Sequence, residues 1–466
     1  MKCPNCGFES NDNLNFCGAC GYRLNYTEVG DQGQRGVKNR DQMRDRNWRN
    51  YPESSPPPSP DNSYLAPDND NGKKKNNRKK NKLIFIIVPI LLIVLGLFEL
   101  YLIQSKLKNL KLPKNPRIES DSSTDVGQKV TWDCIWFGAY PQTEIVDTPE
   151  TSGVQGKGWE KKTDYEVNAS LYNSLKSATG WDNNGDITLR GVKYRRIDYD
   201  SAHHGRRDNR YYYNWSDVKT YHYFRYEKIK WRVLKISGSS AFLIADQALD
   251  DQPYNEADEV SRVVPWDVST IRSWLNGYNL YSNANGIDYS SKNFFGTAFT
   301  SAEQEAILTT RVKNDDNIDE GTDGGKDTDD KIFFLSKTEV YTDAAIEYGF
   351  TSERSDDEAR SSKSSTYAKA MGVYSSSAGS IGGCGWWLRS HTHDFYADFV
   401  GPNGNVNRYG EPSYGINVNE KDYAVRPALN LNLSSSDLWS NAGTVCSDGT
   451  VDEIGGETSY EKSSIN

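Results

Sequence analysis

Residues 83–103, LIFIIVPILLIVLGLFELYLI, form one apolar stretch of 21 residues with a single charge, Glu99. As a helix rising about 1.5 Å per residue it would reach about 31 Å, close to the roughly 30 Å hydrocarbon thickness of a bilayer. Core helices rarely stay apolar on every face for this length, so the stretch predicts a single transmembrane α-helix. Pro89 is compatible with such a helix, and Glu99 falls near one end, where a carboxylate reaches the headgroups. A cleaved signal peptide would place its apolar region earlier in the chain, so this helix is expected to remain as an anchor. Seven Lys or Arg occupy residues 73–82 against five spread over residues 104–117. That asymmetry predicts a cell-membrane protein with a cytoplasmic N-terminus and an extracytoplasmic C-terminal domain.

The parts on either side differ in charge. Residues 1–82 carry 15 Lys or Arg against 10 Asp or Glu, which leaves the rest of a chain of net charge −9 at −14. An acidic body has no electrostatic attraction for nucleic acid, and none is expected as a partner. Within residues 1–24, Cys3-Pro4-Asn5-Cys6-Gly7 and Cys17-Gly18-Ala19-Cys20-Gly21 present two C-x-x-C-G knuckles ten residues apart. Cys3, Cys6, Cys17 and Cys20 suit one tetrahedral zinc ion, because each knuckle offers two sulfurs from one tight turn whose glycine lets backbone N–H groups approach the thiolates. A segment this short has little core, so a structural zinc would supply most of its folding free energy. Two redox dithiols without metal are the alternative reading. These residues resemble the short zinc ribbon of bacterial membrane proteins, which implies a contact module open to a cytoplasmic protein partner. Residues 25–82 are poor in aliphatics and include the run Pro56-Pro57-Pro58-Ser59-Pro60. They read as a disordered, basic, proline-rich linker.

Residues 104–129 read as a stalk, residues 130–434 as the folded body and residues 435–466 as a polar tail. Within the body, Ile229-Lys230-Trp231-Arg232-Val233 alternates as an edge strand does, and Ala241-Phe242-Leu243-Ile244-Ala245 is continuously apolar as a central strand is. Gly238-Ser239-Ser240 supplies the turn of this hairpin. Val268, Ile271, Trp274 and Leu275 fall at helical spacing after Asp267, the expected cap. Thr300 with Glu303 and Ser336 with Glu339 form two capping boxes. Residues 331–336, 386–389 and 396–400 read as strands, and Gly401-Pro402-Asn403-Gly404 as a turn. Tyr423, Val425, Leu429 and Leu431 alternate along one closing strand. Strands mixed with short, nonalternating helices predict an α+β domain. Of the seven cysteines only Cys134, Cys384 and Cys446 lie in the body and tail, too few for a disulfide framework.

Trp266-x-x-Ser269-x-Ile271-Arg272-x-Trp274-Leu275-Asn276, Lys331-Ile-Phe-Phe-Leu-Ser336, Trp386-Trp387-Leu388-Arg389-Ser390 and Val425-Arg426-Pro427-Ala428-Leu429 occur in this order, after an early Trp136-Phe137-Gly138-x-Tyr140-Pro141-Gln142 segment. The set resembles a widespread bacterial extracytoplasmic domain of unknown function, often joined to membrane anchors or zinc ribbons. Its ending is more distantly similar to the C-type-lectin-like fold also used by formylglycine-generating enzymes. The chemistry of those enzymes needs a closely placed cysteine pair, which this body does not display in sequence.

Trp386, Trp387, Arg389 and Arg426 are the candidate ligand-binding residues: indole faces stack on sugar C–H groups, and guanidinium bonds hydroxyls or a carboxylate. Strand alternation places at least one of the tryptophans in the core, and Arg426 has a structural alternative as a tie to Asp330. The acidic run from Asp315 to Asp330 invites a calcium site on composition, although Glu320 stands where an EF-hand needs glycine. A solvated acidic loop is the plainer reading. The five histidines, His203, His204, His222, His391 and His393, show no metalloprotease spacing, and neither a nucleophile elbow nor a phosphate loop is present. The expected function is therefore binding of a cell-wall, glycan or protein ligand. A surface enzyme on the same scaffold and a transmembrane sensor are the alternatives.

Overall fold

The structure, a computed structural model, describes residues 112–149, 165–203, 219–256, 263–376, 383–392, 395–407 and 415–455. All of them lie in the second of two compact units, Ile103–Asn466. Cys3, Cys6, Cys17 and Cys20, the linker and the apolar stretch of residues 83–103 lie outside the described residues.

The longest described helix, α1 (Ala169–Ser177), has nine residues, against about 20 needed to cross a bilayer. Among the described residues no helix is long and apolar enough to cross a membrane, so the expected single-span, cell-membrane topology is not supported by them. The α+β, C-type-lectin-like expectation is corrected. Of the described residues 36% lie in strands and 17% in helices, so the body is mainly β.

The strands in chain order are β1 (Arg117–Ser120), β2 (Gln128–Val146), β3 (Tyr165–Val167), β4 (Asp186–Leu189), β5 (Val192–Ile197), β6 (His222–Ser237), β7 (Ser240–Ala245) and β8 (Asp250–Asp251). After the helices α2 (Thr270–Asn276), α3 (Phe294–Ala298) and α4 (Ser301–Ala306) come β9 (Ile307–Leu308), β10 (Thr310–Val312), β11 (Thr328–Asp330) and β12 (Ile332–Phe333). Helices α5 (Lys337–Tyr341), α6 (Asp343–Ile346) and α7 (Thr366–Met371) precede β13 (Trp386–His391), β14 (Tyr396–Val400), β15 (Ile416–Asn417), β16 (Ala424–Val425), β17 (Ala428–Asn432), β18 (Ser440–Cys446) and β19 (Val451–Glu453). The main sheet runs β12-β17-β7-β6-β2-β18-β19, with β1, β3, β4, β5 and β9 attached beside this path. A second sheet runs β15-β14-β13-β16-β8, and β10 pairs with β11.

The β6–β7 hairpin forms at the expected turn, where Gly238 takes the left-handed φ of 60°. β6 is not an edge, however: β2 covers its other side. Its charged positions survive there through local partners, Arg232 with Asp246 at 2.6 Å and Lys230 with Glu453. The sheet also extends past both expected limits of the body, since β1 lies in the supposed stalk and β18 and β19 lie in the supposed tail.

The expected closing strand is two strands. β16 belongs to the second sheet and β17 to the main one, and Arg426-Pro427 carries the chain between them. Residues 246–249 make the same crossing beside it, from β7 to β8. Ala245 N–H donates to Pro427 O and Leu249 N–H to Val425 O, both at 2.9 Å, so the paired crossings are hydrogen-bonded to each other at both ends. One large core fills the body, with Trp132, Trp231, Trp266, Trp386 and Trp387 all fully buried. Both capping boxes are present, at Thr300 with Glu303 and at Ser336 with Glu339. The cap of α2 is Ser269, whose hydroxyl accepts from Arg272 N–H; Asp267 instead sits in the short 3-10 turn before it.

Candidate functional site

The four residues expected to bind ligand are all interior. Trp386 and Trp387 are 0% exposed, their indole N–H groups donating to Arg360 O at 3.2 Å and Gln252 O at 2.9 Å. Both faces of β13 are covered, so strand alternation separates two parts of one core. Arg389 donates to Lys313 O and Phe334 O and pairs with Glu339. Arg426 does not tie Asp330. Its guanidinium donates to Ala245 O at 2.9 Å and Arg360 O at 3.0 Å, which fastens the paired crossings between the sheets. Burial lowers the Arg426 pKa to about 9.

The acidic loop is accounted for by cations and backbone. Arg272 pairs with Asp330 at 2.9 Å, while Trp266, Tyr278 and Thr328 donate to the same carboxylate. Lys337 and Arg354 pair with Asp319, Arg311 pairs with Asp327 and Asp329, and Gly324 N–H donates to Asp316. Among the described residues no group of three or more His, Cys, Asp or Glu could hold a metal ion. The zinc cysteines fall outside that statement, as do His204 and His393. Cys134, Cys384 and Cys446 are free thiols.

The strongest candidate site lies elsewhere, in a cavity of about 570 Å³ between the main sheet and helices α2, α3 and α7. Its wall includes Tyr140, Arg195, His203, Asp250, Trp274 and Tyr367. Tyr140 reaches it through a bulge in β2, where the pairing with β6 shifts between Trp136 and Ala139. Gly138 makes that bulge, with φ of 67°, and an added Cβ would come 2.5 Å from the Phe299 ring. The floor is aromatic: Tyr140 lies 5.1 Å from Phe294 and 5.8 Å from Tyr367 between ring centroids, and Trp274 lies 5.9 Å from Phe294.

Arg195 is 8% exposed and forks onto Asp186, Nε to Oδ1 at 2.7 Å and Nη2 to Oδ2 at 2.9 Å. Tyr226 Oη donates to the same carboxylate at 2.8 Å, and Lys193 pairs with it at 2.9 Å. Burial works to raise the Asp186 pKa, but the hydrogen bonds and charge of Arg195, aided by Lys193, outweigh it and hold the group below the usual carboxylate range. Arg195 Nη1 also donates to Tyr367 Oη at 3.4 Å. The result is a fixed cation at the cavity wall.

Asp250 faces that cation across the aromatic floor. Its carboxylate accepts from Tyr140 Oη and from Asp251 N–H, the latter at 2.8 Å. Burial dominates these bonds and raises its pKa to about 6, so the carboxyl exchanges a proton close to neutrality. Asp251 beside it is fully buried, and burial followed by the nearby charges of Asp422 and Asp250 pushes it well above the usual range. His203 Nδ1–H donates to Asp251 O at 2.8 Å, and the residue lines the cavity wall.

Residues 238–433 match the family model described as Domain of unknown function (DUF6273). The matched segment contributes Asp250, Trp274 and Tyr367 to the cavity, whereas Tyr140, Arg195 and His203 come from outside it. No curated protein and no solved structure matches the chain.

Of the cavity residues, only Tyr140 and Trp274 belong to motifs the sequence brings forward. Arg195 and Asp186 sit nine residues apart across the β4–β5 hairpin, a spacing without helical or strand-face meaning until the hairpin register is known. The Asp250-Asp251 pair, separated from the apolar strand β7 by four residues, was the available signal: two adjacent carboxylates so soon after a central strand must be accommodated close to its end.

Proposed function

We propose that this protein is a binding protein whose DUF6273-like body takes a hydrophilic, polyhydroxylated ligand of the glycan class in the cavity between Arg195 and Asp250. The single observation that supports this reading most is the composition of the wall. A cavity for an apolar cofactor is lined mainly by hydrocarbon with a few polar groups. Here Arg195, Asp250, His203, Asp198 and Asn183 surround a small floor of Tyr140, Tyr367 and Trp274. Fixed carboxylate, amide and guanidinium groups match hydroxyl donors and acceptors, and the rings offer faces to C–H groups.

Calorimetric titration of the full chain with a glycan panel tests the proposal. Binding should be lost or weakened at least about tenfold in Asp250→Asn and Tyr367→Phe, both near-isosteric changes within the cavity. Unchanged affinity in both variants would refute this location.

A second reading, hydrolysis of a glycosidic bond, is favoured by one observation: Asp250 carries a carboxyl titrating near neutrality in a cavity that also holds the carboxylates of Asp198 and Asp200. Release of reducing ends from a bound glycan, abolished in Asp250→Asn, would decide for it.

A further inference from the structure

A second cavity, of about 620 Å³, lies beside the first, and the same chain segments wall both. Along β2, residues 136–139 line the second cavity and Tyr140 the first; along β5, Lys193 lines the second and Arg195 the first. Along α3 the division is at Thr297, which lines both. Asp186 is the tie at this waist, since its carboxylate holds Arg195 of the first wall together with Lys193 and Tyr226 of the second. Each volume alone is that of a complete small-molecule site, and together they exceed the roughly 1,000 Å³ upper range for one.

The chemistry continues across the waist. Aromatic Trp136, Phe299, Tyr226 and Trp439 border the second cavity, interleaved with Lys193, Lys228 and Glu303. Lys193 stands over the Tyr226 ring at 4.3 Å, so that cation and ring are fixed as one element. Two compartments of similar size and similar mixed lining, which share Thr297 as a wall residue, fit a ligand built of repeating units better than a single compact molecule.

We infer that the ligand is an oligosaccharide chain that threads past Thr297 and occupies both cavities at once. This rests on the glycan reading of the first cavity and adds chain length as the property recognised. The second compartment then acts as an extension whose contacts add to those at Arg195 and Asp250.

The test is calorimetry of the full chain with cello-, chito- and manno-oligosaccharides of one to six units. For the series that binds, affinity should rise at least about tenfold between the shortest members and the longest. Lys228→Ala, at an exposed position of the second cavity and outside the first, should remove that gain while leaving the shortest ligand unchanged. Affinity independent of length overturns the threading inference and leaves the glycan reading standing. Binding of no member of any series overturns both.

Discussion

Asp186→Ala removes the anchor of Arg195 and gives the sharpest test of how the cavity wall is built. The Asp186 carboxylate is 4% exposed and accepts from Arg195 Nε at 2.7 Å, Arg195 Nη2 at 2.9 Å and Tyr226 Oη at 2.8 Å, with Lys193 at 2.9 Å. After truncation Arg195 retains one long bond, to Tyr367 at 3.4 Å. Breaking one partner of a buried ion pair costs about 3–5 kcal/mol, because the remaining charge stays desolvated. At a urea m-value of about 3 kcal/mol/M, this shifts the midpoint down by about 1–1.7 M. Urea unfolding of the full chain, followed by tryptophan fluorescence, reads the shift. The double variant Asp186→Leu with Arg195→Met should recover most of the loss, since neither charge is then left alone. A loss below about 1 kcal/mol in Asp186→Ala, or a double variant no better than the single one, would refute the argument that this pair is closed to solvent. The pH dependence carries the same information. Asp186 lies below its ordinary pKa in the fold, so its contribution is present above the ordinary carboxylate value and is lost as pH falls through the folded one. Asp186→Ala should therefore lose less stability than the parent on acidification.

Asp250 predicts the opposite slope. Its folded pKa near 6 exceeds the ordinary value of 3.8, so its contribution is full below about pH 4 and is lost as pH rises through 6, by about 3 kcal/mol. Thermal melts of Asp250→Asn across pH 4–7 should lack that decline, and parallel profiles for the two proteins would count against it. Asn276→Ala should cost about 2–4 kcal/mol in urea unfolding. Its amide accepts from Lys331 N–H and Ile332 N–H at 3.0 Å and donates to Arg272 O at 3.0 Å and Ile332 O at 2.8 Å, joining α2 to β12. Gly404→Ala should lower the melting temperature by several degrees, because φ is 80° and an added Cβ would overlap Asp357 O. A change within one degree would remove the strain argument.

Local signals in this sequence carried through to local structure. The Thr300–Glu303 and Ser336–Glu339 boxes, the Gly238 turn and the strands at 386–391 and 396–400 each depend on residues a few positions apart, and each formed. What sequence periodicity could not carry was partnership. The alternation of Ile229 to Val233 is that of an edge strand, yet β2 lies against it, because Asp246 and Glu453 neutralise the charges from positions 14 and 223 residues away. Tyr423 to Leu431 alternates as one strand, yet proline at position 427 lacks the N–H a continuous ladder needs and the chain changes sheet there. The aromatic pair at 386 and 387 drew attention as a platform for the same reason it is core: large rings cost most to leave in water, and a two-sided core absorbs both faces of a strand. The cavity was largely illegible because its charged partners meet through the β4–β5 register and the sheet crossing, neither of which leaves a periodic trace.

The matched segment, residues 238–433, is not a separable folding unit in this chain. It begins in the turn before β7, so it contains β7 and omits β6, the neighbour that pairs with β7 from Trp231 to Ser237. It omits β2 as well, and with it the Trp132, Phe137 and Tyr140 side chains, each 1% exposed or less, that pack into the same core as Trp266 and Phe294. Cut at residue 238, β7 becomes an unpaired edge of continuously apolar sequence, the kind that templates aggregation. The Phe299 ring, stacked on Phe137 at 5.3 Å and Trp231 at 6.4 Å, loses both neighbours. A fragment of residues 238–433 should therefore aggregate or melt without a cooperative transition. A fragment of residues 112–455, which restores β2, β6 and β18, should melt cooperatively. A cooperative melt of the shorter fragment would show that the matched segment holds a complete core, and that the cavity residues Tyr140 and Arg195 were added to a domain already stable without them.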